Sequence, residues 1–473
     1  MYQLQSVINP VIFRGYDIRG VVGKELNSNV YYTLGRAYAT YLSQRRIVEA
    51  TVGRDNRTHS EEMSNAFIAG LNDGGVNTID LGMSLSQIVY YSAYHFKTRG
   101  SAMITASHNP SEFNGLKLGT GYSETMVTEE IQDVRKLVEA GKFSEGAGTN
   151  RTADIFSDYL HDLLKYFKLG KRWKIVVDTC NTTSGKFYPE IFRQAGCEVI
   201  EQNTELDGTF PLGVPDPTEV EVLDRLAEGV KKAGADIGFA YDTDGDRMAV
   251  VDEKGNTLWM DTIVALFAQD VLEFMPGAKI VYNTLCSRQV TEAVEKAGGV
   301  PVIWMTGHSF IKAKLKAEAA PFGGELSGHI FFMDNFFGHD DGAFASLRLL
   351  AYLERTNQTV SEAVGKLSKY TSSPEIKFGL ADDIKFKFID TTIRQAFQSQ
   401  WPNAKYIDID GIRMDTQDEM AIVRASQNGP YITVKFEAKT QEQYDALKQT
   451  LRQILKQHPE INWEAGVNTH ALD

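Results

Sequence analysis

Short apolar runs alternate with longer segments of helical periodicity through most of the chain. The first set is "RIVEATVGRD", which predicts a strand, "SEEMSNAFIAGLNDGG", which predicts a helix, and the strands "VNTIDLG" and "SAMITA". The same rhythm returns in "WKIVVDTC", "GKFYPEIFRQAG" and "CEVIEQN", and again in "AKIVYNT", "SRQVTEAVEKAGG" and "VPVIWMT". Strands that alternate with helices form parallel or mixed sheets, so we expect three successive α/β units.

The C-terminal part of the chain has a different pattern. From "DGIRMD" to "QILKQ" it predicts strand, strand, loop, strand and a long helix, which is typical of a smaller α+β domain. The polar stretches "EGAGTNRTAD" and "SKYTSSPEIKF" indicate the first and last domain boundaries. We therefore expect four domains, over residues 1–155, 156–257, 258–370 and 371–473.

Composition and charge exclude several classes of protein. With 473 residues, 42% of them apolar and 23% charged, the chain is predicted to be globular and to hold more than one core. A net charge of −13 argues against general binding to nucleic acids or anionic membranes. There is no apolar run of about 18 residues and no secretory pattern in the first twenty residues. Together with the widely spaced Cys180, Cys197 and Cys286, this predicts a cytoplasmic chain with free thiols.

The segment "MITASHNPSEFNGLKL" places a serine at the end of a predicted strand. Ser107 and His108 follow the apolar run, and Pro110 and Gly115 indicate a turn. A serine at such a corner can bond to nearby backbone or can act as a nucleophile. The local sequence leaves both interpretations open.

"GFAYDTDGDRMAVVDEKGN" carries the strongest local signal. Asp242, Asp244 and Asp246 alternate after an apolar run, and a hard divalent cation would relieve their repulsion. A calcium EF-hand is rejected, because Arg247 stands where that loop requires glycine and "MAVVD" continues as a strand. A phosphotransferase with Asp242 as the nucleophile remains open at this point.

A glycine-rich loop, "APFGGELSGHIFF", lies between two apolar runs. Its polar side chains could bind sugar hydroxyls, and its histidine could transfer protons near neutral pH; these residues are Glu325, Ser327 and His329.

Arginines recur in loops of this acidic protein. Arg19 in "FRGYDIRG", Arg54 and Arg57 in "VGRDNRT", Arg247, and Arg424 in "IVRASQNGPYITV" together favour the handling of phosphate. Gly307 and His308 stand at one more predicted strand end, in "WMTGHSFIK".

Five of these motifs occur in a familiar order. "FRGYDIRG", "TASHNP…NGLK", "DTDGDR", "GGELSGH" and "RASQNGP" resemble the motifs of the α-D-phosphohexomutase superfamily, and most of all those of its bacterial phosphomannomutase/phosphoglucomutase group. The resemblance covers essentially the whole chain. It implies three α/β mixed-sheet domains and a C-terminal α+β domain, arranged around a central cleft.

The resemblance also implies roles for residues. Ser107 would carry the phosphoryl group and, with Asp242, Asp244 and Asp246, would hold Mg²⁺, one ion per chain. Arg19 and His108 would stabilise the transferred group, while Lys117 and His329 would transfer protons. The remaining implied contacts are with substrate: Tyr16, Arg247, Gly307, His308, Glu325, Ser327, Arg424, Ser426, Gln427 and Asn428.

The implied activity is reversible phosphoryl transfer between C1 and C6 of mannose and glucose phosphates, through phosphoserine and a hexose 1,6-bisphosphate that also acts as activator. The implied partners are small hexose phosphates, with no nucleic acid and no membrane, for a monomer or homodimer. Phosphoglucosamine mutase, an aspartate-nucleophile sugar phosphatase and a non-catalytic sugar-phosphate binder are the alternatives. The chain departs from the pattern at Leu285, where related enzymes often carry a lysine, and in its "SQNGP" loop.

Overall fold

The computed structural model describes residues 2–427 and 429–472. Within these ranges the strands form four sheets, and the sheets follow one another along the chain. In the same part of the chain, no helix has the length and the apolar character needed to cross a membrane.

The first sheet mixes parallel and antiparallel pairs. Its strands are β1 (Ile18–Val21), β2 (Glu49–Arg54), β3 (Asn77–Met83), β4 (Gly100–Ile104), β5 (Phe113–Gly121), β6 (Glu124–Thr125) and β7 (Asn150–Thr152). They lie in the order β1, β5, β4, β2, β3, β7, with β6 beside β5. The helices of this part are α1 (Ser28–Gln44), α2 (Ser60–Asp73), α3 (Ser86–Phe96) and α4 (Thr128–Ala140).

The second sheet has a parallel centre and an antiparallel edge. Its strands are β8 (Lys174–Asp178), β9 (Glu198–Gln202), β10 (Ile237–Tyr241), β11 (Met248–Val251) and β12 (Thr257–Leu258). β10 and β9 flank β8 in parallel, and β11 turns back against β10. The accompanying helices are α5 (Phe156–Leu164), α6 (Ser184–Gln194) and α7 (Val220–Ala233).

The third sheet is built in the same way. Its strands are β13 (Lys279–Asn283), β14 (Val300–Trp304), β15 (Phe322–Gly324) and β16 (Ile330–Phe332). β13 is parallel to β14 and β15, and β16 is antiparallel to β15. The helices are α8 (Met260–Phe274), α9 (Arg288–Lys296), α10 (His308–Glu318), α11 (Gly342–Thr356) and α12 (Val360–Val364).

The fourth sheet is antiparallel in all its described pairs. Its strands are β17 (Thr371–Ser372), β18 (Ile376–Gly379), β19 (Lys405–Ile407), β20 (Ile412–Asp415), β21 (Glu419–Ala425), β22 (Tyr431–Ala438) and β23 (Asn462–Val467). The helices are α13 (Lys385–Phe388), α14 (Arg394–Gln400) and α15 (Gln441–Lys456).

The predicted fold class is therefore confirmed: three mixed-sheet α/β units are followed by an α+β unit. Each strand and helix predicted from the hydrophobic pattern is present, with ends displaced by a few residues. The reason is visible in β2 and β8, which lie inside their sheets and are buried over most of their length. The three cysteines are free and buried.

Buried side chains connect the second and third units into one body. A single apolar cluster includes Tyr241 and Met248, at the two ends of the β10–β11 connection, together with Phe322 and Ile330 of the third sheet. The first and fourth units each have a cluster of their own. The connections β10–β11 and β15–β16 are therefore held on a shared core.

Candidate active site

Ser107 stands at a strained corner just beyond β4. Its backbone has φ of 49°, a left-handed conformation that costs a residue other than glycine roughly 1–2 kcal/mol. The amide of Ser107 donates to the hydroxyl of Thr105 at 2.9 Å. Its own hydroxyl donates to Oδ2 of Asp242 at 2.8 Å, so the corner directs the side chain at the aspartate cluster of residues 242–246.

Arg57 holds this corner in place. Its side chain has no exposed surface, and its Nε donates to Asp55 at 3.0 Å. The guanidinium also donates to backbone carbonyls of the serine loop, at 2.8, 2.7 and 2.6 Å for Ser107, Asn109 and Pro110. The prediction that Arg57 handles phosphate is therefore wrong, because its donors are used inside the protein.

Arg54 is placed differently but also outside the site. It forms an ion pair with Glu61 at 3.1 Å, in which the glutamate is 71% exposed. Arg54 does not line the cleft between the units, and its part in phosphate handling stays a prediction. Sequence alone cannot separate such arginines from those that line a cleft, because burial and ion pairing depend on contacts made on folding.

The three aspartates lie in the tight connection between β10 and β11. Tyr241 pairs with Met248, so residues 242–247 form the turn, and Asp242, Asp244 and Asp246 are all fully buried. One ligand atom from each lies within 4.8 Å of the others. β11 begins where the EF-hand loop would continue, which agrees with the rejection of that motif.

Electrostatics within the aspartate cluster favour a cation. Burial and the neighbouring carboxylates of Asp244 and Asp246 raise the pKa of Asp242 well above its usual value. Asp244 Oδ1 and Asp246 Oδ1 are buried without a hydrogen-bond partner among the described residues. Buried carboxylate oxygens that lack a partner suit a hard, oxygen-binding ion, so this donor set fits a divalent cation.

Lys117 reaches the same carboxylates from β5. Its Nζ donates to Oδ2 of Asp244 at 2.6 Å and to Oδ2 of Asp246 at 2.5 Å. Burial alone would lower the pKa of Lys117, but the two carboxylates outweigh it and raise the pKa well above its usual value. Burial likewise works to raise the pKa of Asp244, while Lys117 prevails and lowers it to about 2.

The predicted sugar loop is the turn between β15 and β16. Glu325 is buried and accepts a hydrogen bond from the amide of Gly307 at 2.6 Å. Gly328 has φ of 92°, and a Cβ there would lie 2.4 Å from the carbonyl oxygen of Met248. The amide of Met248 in turn donates to the Gly328 carbonyl at 3.2 Å. Glycine therefore allows the sugar loop to pack directly against the aspartate turn.

His329 joins these two loops through its side chain. Its Nε2 lies 3.0 Å from Nε of Arg247, and residues 247 and 329 also pair through their backbones. The ring of His308 stacks on His329 with centroids 5.3 Å apart, and the ring of Tyr16 meets His308 edge-on at 4.9 Å.

Arg19 lies in β1, next to the serine loop. It donates to Oδ1 of Asn109 at 2.7 Å and to Asp17 at 2.5 Å. These contacts fix a buried guanidinium beside His108, and they leave it at the wall of the cleft.

Arg424 comes from the fourth unit, near the end of β21. Its Nε donates to Oδ2 of Asp410 at 2.8 Å, and the same oxygen accepts from the amide of Thr306 at 3.0 Å and from the hydroxyl of Thr284 at 3.2 Å. Asp410 therefore links Arg424 to the third unit. Asn428, the last residue of the predicted phosphate loop, lies outside the described residues.

These elements surround a cleft of about 440 Å³. The predicted site residues that line it are Tyr16, Arg19, His108, Arg247, Gly307, Glu325, Ser327, His329, Arg424, Ser426 and Gln427. The predicted residues that are buried and do not line it are Ser107, Lys117, Asp242, Asp244, Asp246 and His308. Leu285 lines the cleft as an apolar residue.

Burial shapes the titration of groups at the cleft wall. The pKa of His108 lies well below its usual value because of burial and because Arg247 and Arg19 are close. Burial raises the pKa of Glu325 and brings that of Tyr16 to about 12. A neutral imidazole and a cationic wall of arginines are suited to an anionic substrate.

Sequence reasoning missed three charged residues of this region. Asp340 contacts His329, Asp216 lies 3.8 Å from both Arg247 and His108, and Lys377 lines the cleft from β18. A signal existed only for Asp340, which stands in the polar run "GHDDG" between apolar segments. The other two lie in a loop and a strand without a distinctive pattern.

A buried serine beside three aspartates, at one end of a cleft lined with arginines, defines a protein that handles phosphorylated small molecules. Three family models match the chain: "Phosphoglucomutase/phosphomannomutase, alpha/beta/alpha" domain I over residues 10–145, domain II over 157–255 and domain III over 259–370. The chain belongs to the phosphoglucomutase/phosphomannomutase family of phosphohexomutase enzymes, which are isomerases.

Similar proteins of this family share nearly the full length. A phosphomannomutase/phosphoglucomutase of Pseudomonas putida is 37% identical over 95% of this chain and 96% of its own. A phosphoglucomutase of Neisseria meningitidis is 34% identical over 96% of this chain and 98% of its own. The crystal structure of a phosphoglucomutase/phosphomannomutase family protein from Burkholderia thailandensis superimposes with a TM-score of 0.88, at 33% identity, over 95% of this chain and 98% of its own.

Proposed function

We propose that the chain catalyses reversible phosphoryl transfer between C1 and C6 of mannose and glucose phosphates. The observation that carries this proposal is the 2.8 Å hydrogen bond from Ser107 to Asp242, made from a strained corner that Arg57 holds by three backbone carbonyls. A serine that only capped a turn would have no need of an aspartate cluster in contact with its hydroxyl.

The proposed roles follow the positions of the side chains. Ser107 carries the phosphoryl group, and a hexose 1,6-bisphosphate forms as intermediate and also serves to phosphorylate Ser107. Arg19 and His108 stabilise the group in transit, because both line the cleft beside the serine loop. Lys117 and His329 move protons to and from sugar oxygens.

Asp242, Asp244, Asp246 and Ser107 would hold one Mg²⁺, as their buried oxygens allow. The ion would neutralise negative charge on the phosphoryl group as it is transferred. Lys117 must then share Asp244 and Asp246 with the ion, since it bonds to both carboxylates.

Sugar and phosphate contacts occupy the rest of the cleft. Glu325 and Ser327 grip the 3- and 4-hydroxyls of the hexose. The phosphate that is not being transferred lies against Arg424, Ser426, Gln427 and Asn428, and the further contacts are Tyr16, Arg247, Gly307 and His308. Hydroxyl contacts at C3 and C4 do not distinguish mannose from glucose, which differ at C2.

We further propose that the domains run over 1–155, 156–257, 258–370 and 371–473. The supporting observation is that the strands of each sheet fall within one of these four ranges, except that β12 of the second sheet extends one residue, Leu258, past the boundary at 257.

The test measures turnover of mannose 1-phosphate and glucose 1-phosphate with Mg²⁺ and glucose 1,6-bisphosphate. Ser107→Ala is expected to lose almost all turnover while staying folded, whereas Ser111→Ala, four residues along the same loop, is expected to keep it. A phosphoenzyme that survives acid and hydroxylamine supports phosphoserine. One that hydroxylamine cleaves identifies an aspartyl phosphate and overturns the assignment, and preferred turnover of glucosamine phosphate would place the chain in that group instead.

A further inference from the structure

The two ring nitrogens of His329 face different partners. Nε2 lies 3.0 Å from Nε of Arg247, and Nδ1 lies 2.9 Å from Oδ2 of Asp340. The Nε of arginine carries a hydrogen and can only donate, so Nε2 of His329 is the accepting nitrogen. Nδ1 therefore carries the ring proton, and it faces Oδ2 of Asp340 at ion-pair distance, without the alignment of a full hydrogen bond.

The carboxylate of Asp340 is fixed in position beside His329 by the surrounding protein. Its side chain is fully buried. Its backbone pairs with that of Phe331, the middle residue of β16. Its second oxygen, Oδ1, accepts from Nζ of Lys312 at 3.1 Å. Lys312 is itself buried on α10, so its ammonium compensates a carboxylate that water does not reach.

Other charged and titratable groups surround the ring. Nδ1 of His308 lies 3.6 Å from Oδ2 of Asp340, and Oδ1 of Asp246 lies 3.7 Å from Nδ1 of His329. Tyr90 lies under the Lys312 ammonium, which is 4.2 Å from the centre of its ring. Without Asp340, the nearest acceptor for Nδ1 is therefore Asp246, a residue of the proposed metal site.

We propose that Asp340, held by Lys312, is a positioning residue that keeps the proton of His329 on Nδ1 and leaves Nε2 unprotonated, so that a sugar hydroxyl can replace the Nε–H of Arg247 as the partner of Nε2. The proposal rests on the proposed function, in which His329 transfers protons. In that reaction the sugar hydroxyl gives its proton to Nε2 and forms the new O–P bond. The Oγ–P bond breaks with its electron pair on Ser107, whose oxygen takes a proton from water.

The second transfer runs these moves in the opposite sense. Ser107 gives its proton to the hydroxide ion that the first transfer left, which restores the water molecule, and forms the Oγ–P bond. The imidazolium returns its proton from Nε2 to the sugar oxygen that the phosphoryl group leaves. Nδ1 keeps its proton in both halves. A ring with the opposite tautomer would present an N–H to the hydroxyl and could not accept its proton.

The test is two-bond ¹H–¹⁵N NMR of histidine ring nitrogens in the full chain, with His329 assigned by comparison with His329→Gln. The native protein is expected to show His329 with its proton on Nδ1. Asp340→Ala should give the other tautomer or a mixture, together with a fall in kcat of about 100-fold and a change in KM below about threefold. Lys312→Met should shift the tautomer less, because Lys312 bonds to Asp340 and not to the ring of His329.

Asp341→Asn provides the matched control. Asp341 is the neighbouring buried carboxylate, but it accepts from the amide of Phe344 and from the hydroxyl of Tyr159. The Asp341→Asn variant is expected to change the thermal stability of the protein without altering the tautomer of His329. Asp340→Asn, whose amide oxygen can still accept from Nδ1, should retain more of the native tautomer than alanine. Asp340→Leu, which has no acceptor, serves as the test if the alanine variant does not fold.

An unchanged tautomer in folded Asp340→Ala or Asp340→Leu overturns the proposal, even if kcat falls, because a lower rate alone fits a merely structural role. A chain that shows no mutase turnover overturns the proposed function instead. In that case the ring spectra still report whether Asp340 holds His329.

Discussion

Arg57 donates to the carbonyl oxygen of Ser107 at 2.8 Å from a side chain that has no exposed surface. The proposed nucleophile is therefore positioned through its backbone by a residue that does not line the cleft. An arginine fork can bond several carbonyls at once, and the single ammonium of lysine cannot match this geometry.

Arg57→Lys should therefore loosen the serine corner. We expect kcat to fall by about 10- to 100-fold, because a displacement of the nucleophile of about 1 Å can cost that much. The extent of Ser107 phosphorylation by glucose 1,6-bisphosphate should fall with it, as measured by intact mass. Arg54→Lys is the matched control, since Arg54 pairs with the exposed Glu61. Equal rates in the two lysine variants would contradict the positioning role.

Lys117→Met should bind Mg²⁺ more tightly and still turn over more slowly. The ammonium of Lys117 neutralises Asp244 and Asp246, so its removal leaves more negative charge for the ion. Loss of a proton-transfer group lowers kcat by about 10²–10⁴-fold. Asp244→Asn is the contrasting variant and should weaken Mg²⁺ binding while also slowing transfer. Calorimetric titration of both proteins with Mg²⁺ measures the affinity for the ion. Weaker Mg²⁺ binding by Lys117→Met than by the native protein would contradict the prediction.

Lys377→Met should raise KM for hexose phosphates by about 10-fold, which is what one charge-assisted contact contributes. Lys377 faces the cleft from β18, and burial would lower its pKa. Glu375, Tyr431, Asp216 and Glu219 outweigh this and raise the pKa, so the side chain is a cation at neutral pH. Lys369→Met, at an exposed position, should leave KM unchanged. Steady-state kinetics with glucose 1-phosphate test this, and an unaltered KM in the Lys377 variant would mean that no phosphate meets this cation.

Arg424→Ala should raise KM for glucose and mannose phosphates by the same factor, about 10- to 100-fold, because a phosphate contact does not sense C2. It should also increase the fraction of bisphosphate released before the second transfer. Arg452→Ala, an exposed arginine on α15 in the same unit, is the control and should change neither quantity. A rise in KM for only one of the two sugars would show that Arg424 contacts the sugar ring rather than the phosphate alone.

The same prediction includes motion of the fourth unit, hinged near residue 370. Arg424 is tied through Asp410 to Thr306 and Thr284 of the third unit, and the bisphosphate must present both ends to one serine. We expect small-angle scattering to show a more compact particle with substrate bound. Scattering curves that superimpose with and without substrate would show that the fourth unit does not move when substrate binds.

The sequence predicts the fold class well because the signals involved are local. The apolar run of β8 and the amphipathic pattern of α6 can be recognised without knowing their neighbours. The residues of the cleft wall could be proposed because five motifs keep their order along the chain.

What could not be predicted depends on contacts between distant parts of the chain. Arg57 has the same sequence surroundings as a phosphate-binding arginine, and only burial against the serine loop shows its different use. The polar run "GHDDG" draws attention to Asp340, but its role depends on contacts with His329 and Lys312, 11 and 28 positions away, and α10 and β16 must be in place before these exist. A pattern of apolar positions holds no information about such pairs.

The backbone contact between Gly328 and Met248 joins the sugar loop and the aspartate turn into one rigid unit. Because the backbones touch, with a hydrogen bond from the Met248 amide to the Gly328 carbonyl, neither loop can swing while the other stays fixed. The two loops therefore keep one arrangement relative to each other, and the bisphosphate changes its orientation against this fixed frame while the fourth unit opens and closes. Every hexose bisphosphate that the enzyme uses has to fit this frame in two opposite orientations. Substrate selection therefore depends on the ability of the sugar to rotate within the cleft as much as on its pattern of hydroxyls.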